Sequence, residues 1–313
     1  MSLDRSMLSV VVPVYNEEAN LAEVRTRVTR MLDGVRFDGT EVLFVSDGST
    51  DGSERMIAEF AREDPRLRGI FLTRNFGHQA AVSVGLERAR GSVIAVIDGD
   101  LQDSPEHIPE LIAALDAGAD VAYGIRRKRK EPAFKRAGYW LFYRMLNMIS
   151  TTDVPLDAGD YSCMTRRVVD AMKSLPETRR FVRGLRAWVG YRQVGVEYER
   201  DKRFAGEPKY TIRGLLRLAY DGIFAFSSVP VKLMQIIGFV AASGAALVGL
   251  AYLIISLVVA TPRGFPTIVL SIWLLGGVQL FAFGLLGEYV FRAYEEARRR
   301  PSAMVREVVS SDG

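Results

Sequence analysis

Between Leu233 and Ala260 the chain carries no ionisable side chain except Tyr252. Wound as a helix, this run would extend roughly 42 Å at about 1.5 Å per residue, against a bilayer hydrocarbon core of roughly 30 Å. A second uncharged run, Gly264 to Gly287, follows, and the connector Thr261 to Pro266 holds two prolines and a glycine. The two runs are therefore expected to form a transmembrane hairpin, with the rest of the chain left to build a water-soluble fold. Basic residues flank the hairpin at Arg213, Arg217 and Lys232 on one side and at Arg292, Arg298, Arg299 and Arg300 on the other, against Arg263 in the connector. That asymmetry places both termini in the cytoplasm and the protein in the inner membrane as a multi-pass component. The first apolar stretch, Leu8 to Val14, is short and leads into Asn16-Glu17-Glu18, so no signal peptide is expected. The single cysteine, Cys163, precludes an intramolecular disulfide and suits a reducing compartment.

Ahead of the membrane segments the pattern is that of an α/β domain. Apolar runs of strand length alternate with amphipathic stretches of helix length, which predicts a mostly parallel, Rossmann-like sheet with helices on both faces. Strands are expected at 8–14, 41–45, 68–72, 92–97 and 120–123, with helices near 17–32, 51–62, 77–89 and 106–117. In such a sheet ligands gather at the carboxyl ends of the strands. Polar residues stand there in this sequence: Asn16 and Glu17, then Asp47, then Asn75 and His78, then Asp98 and Asp100.

Asp98 and Asp100, two positions apart after a buried run, are suited to a hard divalent cation, Mg²⁺ or Mn²⁺, with Gln102 at the next alternate position as a further oxygen donor. A solvated turn is the competing reading of that pair by itself. The second acidic cluster, residues 46 to 53, also follows a strand; Asp51 reads as a helix N-cap, an explanation that does not extend to Asp47. Arg126 to Lys130 are consecutive basic residues, expected as a flap after the fifth strand that captures a phosphate, with Arg126 and Arg129 as its contacts. Beside a membrane anchor, this cluster points to anionic headgroups or phosphates, not to nucleic acid. Segments 134–149 and 211–230 mix aromatic, aliphatic and basic residues, as helices lying in a membrane interface do, although the first also reads as a buried core helix.

The strings Val-Val-Val-Pro-Val-Tyr-Asn-Glu-Glu at 10–18, Asp-Gly-Ser-Thr-Asp at 47–51 and Asp-Gly-Asp-Leu-Gln-Asp at 98–103 together resemble the family 2 glycosyltransferases of the GT-A fold. Pro155 to Tyr161, Arg203 to Tyr210 and the two uncharged runs resemble, more narrowly, the polyisoprenyl-phosphate glycosyltransferases. The resemblance implies that Pro13, Tyr15, Glu17, Asp47 and Asp98 bind a nucleotide sugar, that Asp98, Asp100 and Gln102 hold the metal, and that Asp157, Asp160, Arg203 and Lys209 serve the reacting groups; His78 is read as a further donor contact from its place after the third strand, beside the glycine turn at Gly77. Two positions depart from the family pattern: Ser46 stands where many members have an aspartate, and Pro208 where serine is common.

The expected organisation is a nucleotide-sugar part at 1–125, an acceptor part with basic loops at 126–210, a juxtamembrane helix at 211–230, two membrane helices at 231–292 and a cytoplasmic tail at 293–313. The expected reaction transfers a sugar, UDP-glucose being the leading donor, to polyprenyl phosphate with inversion, as a step towards a cell-envelope glycan. A phosphate monoester is mostly dianionic at neutral pH and hardly needs a general base, so Asp157 and Asp160 are read first as orienting groups. The alternatives are transfer to another lipid or a polysaccharide, or a membrane-anchored nucleotide-sugar-binding protein without turnover. Membrane lipid is an expected partner, and a homo-oligomer, such as a tetramer, fits a two-span anchor.

Overall fold

The computed structural model describes residues 3–127, 158–177, 180–199 and 264–311, with isolated positions between 234 and 254. The chain divides into two compact units, one of residues 1–147, 152–211 and 300–313, the other of 148–151 and 212–299.

The first unit contains an eight-stranded sheet. Its strands are β1 (Met7–Val14), β2 (Gly39–Ser46), β3 (Leu67–Leu72), β4 (Val93–Val96), β5 (Val121–Arg127), β6 (Ala158–Thr165), β7 (Gln193–Glu199) and β8 (Val305–Val309). They lie in the order β7-β5-β6-β4-β1-β2-β3-β8. β6 pairs antiparallel with both β4 and β5, β8 pairs antiparallel with β3, and the other pairings are parallel. The helices of this unit are α1 (Glu18–Gly34), α2 (Ser53–Glu63), α3 (His78–Arg88), α4 (Ile108–Asp116), α5 (Arg166–Lys173) and α6 (Val182–Trp188).

Strand alternation divides the core into two layers. Val10, Val12, Val42 and Phe44 point to one face and pack with α1, α2 and α4; Val11, Leu43, Val45, Ile70, Ile94 and Val96 point to the other and pack with α3, α5 and α6. Both faces are covered, which is why β1 to β4 read as continuous apolar runs, and each fully buried aliphatic side chain contributes roughly 1.5–3 kcal/mol. The same alternation, within β1 and carried past the ends of β2 and β4, sends Pro13, Asp47 and Asp98 towards the α3 face. β4 and β6 pair with Val96 opposite Ser162. Continuing that register sets Asp98 across from Asp160.

Several elements differ from expectation. β5 continues to Arg127, so the basic run begins inside a strand, with Arg126 opposite Tyr198 and Arg127 opposite Glu199, and not in a flap. The strand extends because β7 offers it a full parallel partner. Residues 305–309, assigned to a tail, form the edge strand β8. Asp51 does not cap α2; Gly52 holds the cap position, and Asp51 instead accepts from the backbone N–H of Ser53 at 3.0 Å and of Glu18 at 3.2 Å.

In the second unit the described element is α7 (Phe265–Ala297), a helix of 33 residues. Its segment Leu274–Ala297 has a mean hydropathy of 1.5, and it is long and apolar enough to cross a membrane. The described positions of the first uncharged run are helical. The pairing of the two runs, and the interfacial segments 134–149 and 211–230, lie outside the described residues.

Candidate active site at the sheet switch point

After β3 the chain returns to the opposite side of β1 to form β4, so the connections diverge between β1 and β4. A crevice opens at the carboxyl ends of strands at such a switch. Here it is a cavity of about 300 Å³ lined by Pro13, Val14, Tyr15 and Glu17 from the end of β1, by Asp47, Asn75, Gly77 and His78, and by Asp98, Gly99 and Asp100 from the end of β4. Thus Pro13, Tyr15, Glu17, Asp47, His78, Asp98 and Asp100, named from sequence, share one cavity. Gln102 is not part of its lining; its backbone N–H donates to Asp100 Oδ1 at 3.1 Å. Arg126 lies in β5, with its side chain outside the described residues, as are Arg129, Asp157, Arg203 and Lys209.

The rim is built from tight backbone. Asn16 and Leu101 adopt positive φ values of 53° and 57°, a conformation uncommon for side-chain-bearing residues and concentrated at functional sites. Gly48 has φ +65°, and a Cβ there would meet the Arg74 carbonyl carbon at 2.5 Å, so only glycine lets the loops after β2 and β3 touch. Asp47 holds this junction by accepting from the backbone N–H groups of Phe76 at 2.7 Å and Gly77 at 2.9 Å. Burial nevertheless raises its pKa above the ordinary carboxylate value, the two backbone bonds opposing the rise. Tyr15, 39% exposed, presents an aromatic face at the mouth.

Deeper in, one imidazole lies between two carboxylates. His78 Nε2 is 3.2 Å from Asp160 Oδ2 and 3.7 Å from Asp98 Oδ1. Burial disfavours its charge, but the bond to Asp160 and the charges of Asp98 and Asp160 prevail and push its pKa up to about 9. Asp160 is nearly saturated: besides His78 it accepts from Gln79 Nε2 at 2.9 Å and from Arg183 Nε at 2.8 Å. Burial would raise its pKa, yet the Arg183 charge and these bonds hold it well below the usual carboxylate range. Asp98 is the opposite case. Its Oδ1 is buried without a hydrogen bond, and burial together with Asp103, Asp160 and Asp100 pushes its pKa up to about 6 despite His78.

An orphaned carboxylate oxygen beside a second carboxylate is what a hard cation would complete. Among the described residues no cluster of three or more acidic, histidine or cysteine side chains forms a closed metal cage. Two carboxylates at the edge of an open cavity suit Mg²⁺ or Mn²⁺, which ordinarily share their coordination with water and substrate phosphates.

Sequence reading missed Arg183 and Gln79. Both act on Asp160 from distant parts of the chain, Gln79 also accepting from the Val182 backbone N–H at 2.8 Å and so tying α3 to α6. The available signal was the three-residue spacing of Arg183 and Arg186, which puts two arginines near one face of a helix.

Comparison with known proteins fits this geometry. Residues 9–172 match glycosyl transferase family 2, and the chain belongs to that family; it is a glycosyltransferase with a GT-A-like mixed sheet. It is 42% identical over 304 residues to the uncharacterized glycosyltransferase YkcC of Bacillus subtilis, covering 95% of this chain and 93% of that one. It is 39% identical over 301 residues to a bactoprenol glucosyl transferase of Shigella phage SfV, covering 96% and 98%, and 38% identical over 304 residues to a prophage bactoprenol glucosyl transferase homolog of Escherichia coli, covering 96% and 99%.

Proposed function

We propose that the chain transfers a hexose from a nucleotide sugar, UDP-glucose being the leading donor, to a polyprenyl phosphate at the cytoplasmic face of the inner membrane. The observation that carries this reading is the orphaned Asp98 oxygen beside Asp100 in a cavity at the switch point. Similarity to bactoprenol glucosyl transferases over nearly the whole chain supports a lipid-phosphate acceptor.

In this reading Tyr15 stacks on the base, while Asp47 and Glu17 border the nucleoside. Asp98 and Asp100 would hold Mg²⁺ or Mn²⁺, which when bound supplies positive charge against the diphosphate leaving group. His78, 3.2 Å from Asp160, lies at the same wall and keeps Asp160 oriented. Asp160 is not a base: its lone pairs are taken by Arg183, Gln79 and His78, and its low pKa leaves it little affinity for a proton. A phosphate monoester acceptor, mostly dianionic at pH 7, supplies its own nucleophile and attacks the anomeric carbon directly. One displacement inverts that centre, giving a β-linked glycosyl phosphate from an α-linked donor. Arg126, Arg129, Arg203 and Lys209 are proposed for the acceptor and leaving-group phosphates, and Asp157 for orienting the acceptor.

Topology supports the membrane hairpin. β8 and β1 belong to one sheet, so the chain between them starts and finishes on the same side of any bilayer it enters. A crossing by α7 then requires a second crossing, and residues 233–260 are the other uncharged run long enough to supply it. A two-span anchor of this kind is compatible with a homo-oligomer such as a tetramer.

The deciding experiment offers the purified protein a panel of radiolabelled nucleotide sugars with undecaprenyl phosphate, with Mg²⁺ and with EDTA. Label entering the lipid from one UDP-sugar, and lost in EDTA, is expected. No lipid product from any donor, or full activity in EDTA, refutes the reading.

A further inference from the structure

We propose that β8 is a working part of the nucleotide site and that Arg306 is a positioning residue, acting through Glu54 and Ser46 on the loop that carries Asp47. The proposal rests on the reading of the crevice as a nucleoside-diphosphate-sugar site.

β3 has β2 on one side and β8 on the other, so the outer edge of the strand that leads into the cavity is completed by the C-terminal segment alone. The pairing runs from Gly69 opposite Val309 to Leu72 opposite Val305, and the Thr73 backbone N–H donates to the Met304 carbonyl at 2.9 Å. That last bond falls where β3 hands over to Arg74 and Asn75, and Asn75 lines the cavity. The end of β3 is thus fixed on its free side by residues that follow α7 in the chain.

A polar relay runs parallel to this backbone zipper. Arg306 Nη2 contacts Glu54 Oε2 at 2.5 Å, and its guanidinium lies 5.9 Å from the centre of the Phe71 ring. The other Glu54 oxygen is 3.0 Å from Ser46 Oγ. Ser46 is fully buried; its Oγ lies 3.0 Å from Ser49 Oγ and accepts from the Ser49 backbone N–H at 3.2 Å. Ser49 Oγ in turn accepts from the Asn16 backbone N–H at 3.1 Å. Asn16 follows Tyr15, and Asp47 follows Ser46, so the relay ends on both residues that would border the base. It also gives the serine at position 46 a purpose. A hydroxyl can join Glu54 to Ser49, whereas an aspartate there would face the Glu54 carboxylate.

Without the Arg306 charge, Glu54 would stand as an uncompensated anion bonded to Ser46, the chain neighbour of Asp47, whose pKa burial already raises. Both the misplaced loop and the added negative charge oppose a nucleoside diphosphate. Neither acts on the acceptor.

The test uses the full chain in detergent, with UDP as probe, or GDP should UDP not bind. Arg306→Met is expected to weaken nucleotide binding by calorimetry about fivefold, and to raise the donor KM by a similar factor, as loss of a partly exposed ion pair and its ordering would. The value of kcat and the KM for polyprenyl phosphate stay unchanged, and Arg306→Lys recovers most of the affinity. Deleting residues 302–313 is expected to cost at least about tenfold, with a synthetic peptide of residues 301–311 restoring binding by adding back the strand. Nucleotide affinity and donor KM within twofold of the unaltered protein for Arg306→Met, or a loss that falls equally on kcat or on the acceptor, overturns the proposal. Should the deleted chain fail to fold, Arg306→Met alone decides. Failure of the unaltered chain to bind either nucleotide would instead remove the site reading on which the proposal stands.

Discussion

Asp98 at the end of β4 and Asp160 near the start of β6 lie across from each other on neighbouring strands and share one imidazole, yet their environments are opposite. Asp160 is ringed by Arg183, Gln79 and His78 and held below the ordinary carboxylate range, while Asp98 keeps a buried oxygen without a hydrogen bond and is pushed up to about 6. The difference teaches that the same side chain becomes a structural anion or a cation receptor according to how many donors reach it.

The sharpest way to break the contrast is through turnover. Asp98→Asn should reduce kcat/KM by about a thousandfold, as removal of a charge facing the developing leaving-group anion does. Steady-state kinetics on folded protein check this, and an equal or greater loss for a folded Asp160→Asn would reverse the two roles. Next comes stability. Asp160→Asn removes the buried anion that Arg183 pairs with, leaves that half-buried arginine facing a neutral group, and should destabilise the domain by about 2 kcal/mol, read by denaturant melts. Acid sharpens the same comparison: a carboxylate with a depressed folded pKa stabilises above its unfolded value of 3.8 and loses that contribution as pH falls through the folded value. The unaltered protein should therefore lose stability more steeply than Asp160→Asn below about pH 4. The smallest effect has the opposite sign. Asp98, with a raised pKa, is strained when ionised, so Asp98→Asn without divalent cation should gain about 1 kcal/mol at pH 7, and a loss would mean the orphaned oxygen has a partner.

The half of the cavity built by the ends of β1 to β4 was legible in sequence for a physical reason. β1 to β4 are buried on both faces, so they read as apolar runs, and each ends abruptly in polar residues at the switch point. Strand alternation then determines which of those residues face α3. Asp160 could be named from the family resemblance, but not its environment, because Gln79 and Arg183 reach it from α3 and α6 across 81 and 23 positions of chain. β8 was illegible for another reason. Val305 to Val309 include Arg306 and Glu307 within a short, partly exposed segment, and edge strands are commonly charged in this way to discourage unwanted pairing. Charge that read as a solvated tail is, in the fold, the mark of a sheet edge and an ion pair.

The position of that strand constrains how the protein can be made. β3 is synthesised more than two hundred residues before its outer partner, and the intervening chain includes both uncharged runs. Until those have passed the ribosome, β3 exposes an open row of backbone donors and acceptors, a surface prone to pair with other chains. Completion of the sheet is thus deferred until after both uncharged runs are made, so the outer edge of β3 is the last part of the sheet to gain its partner.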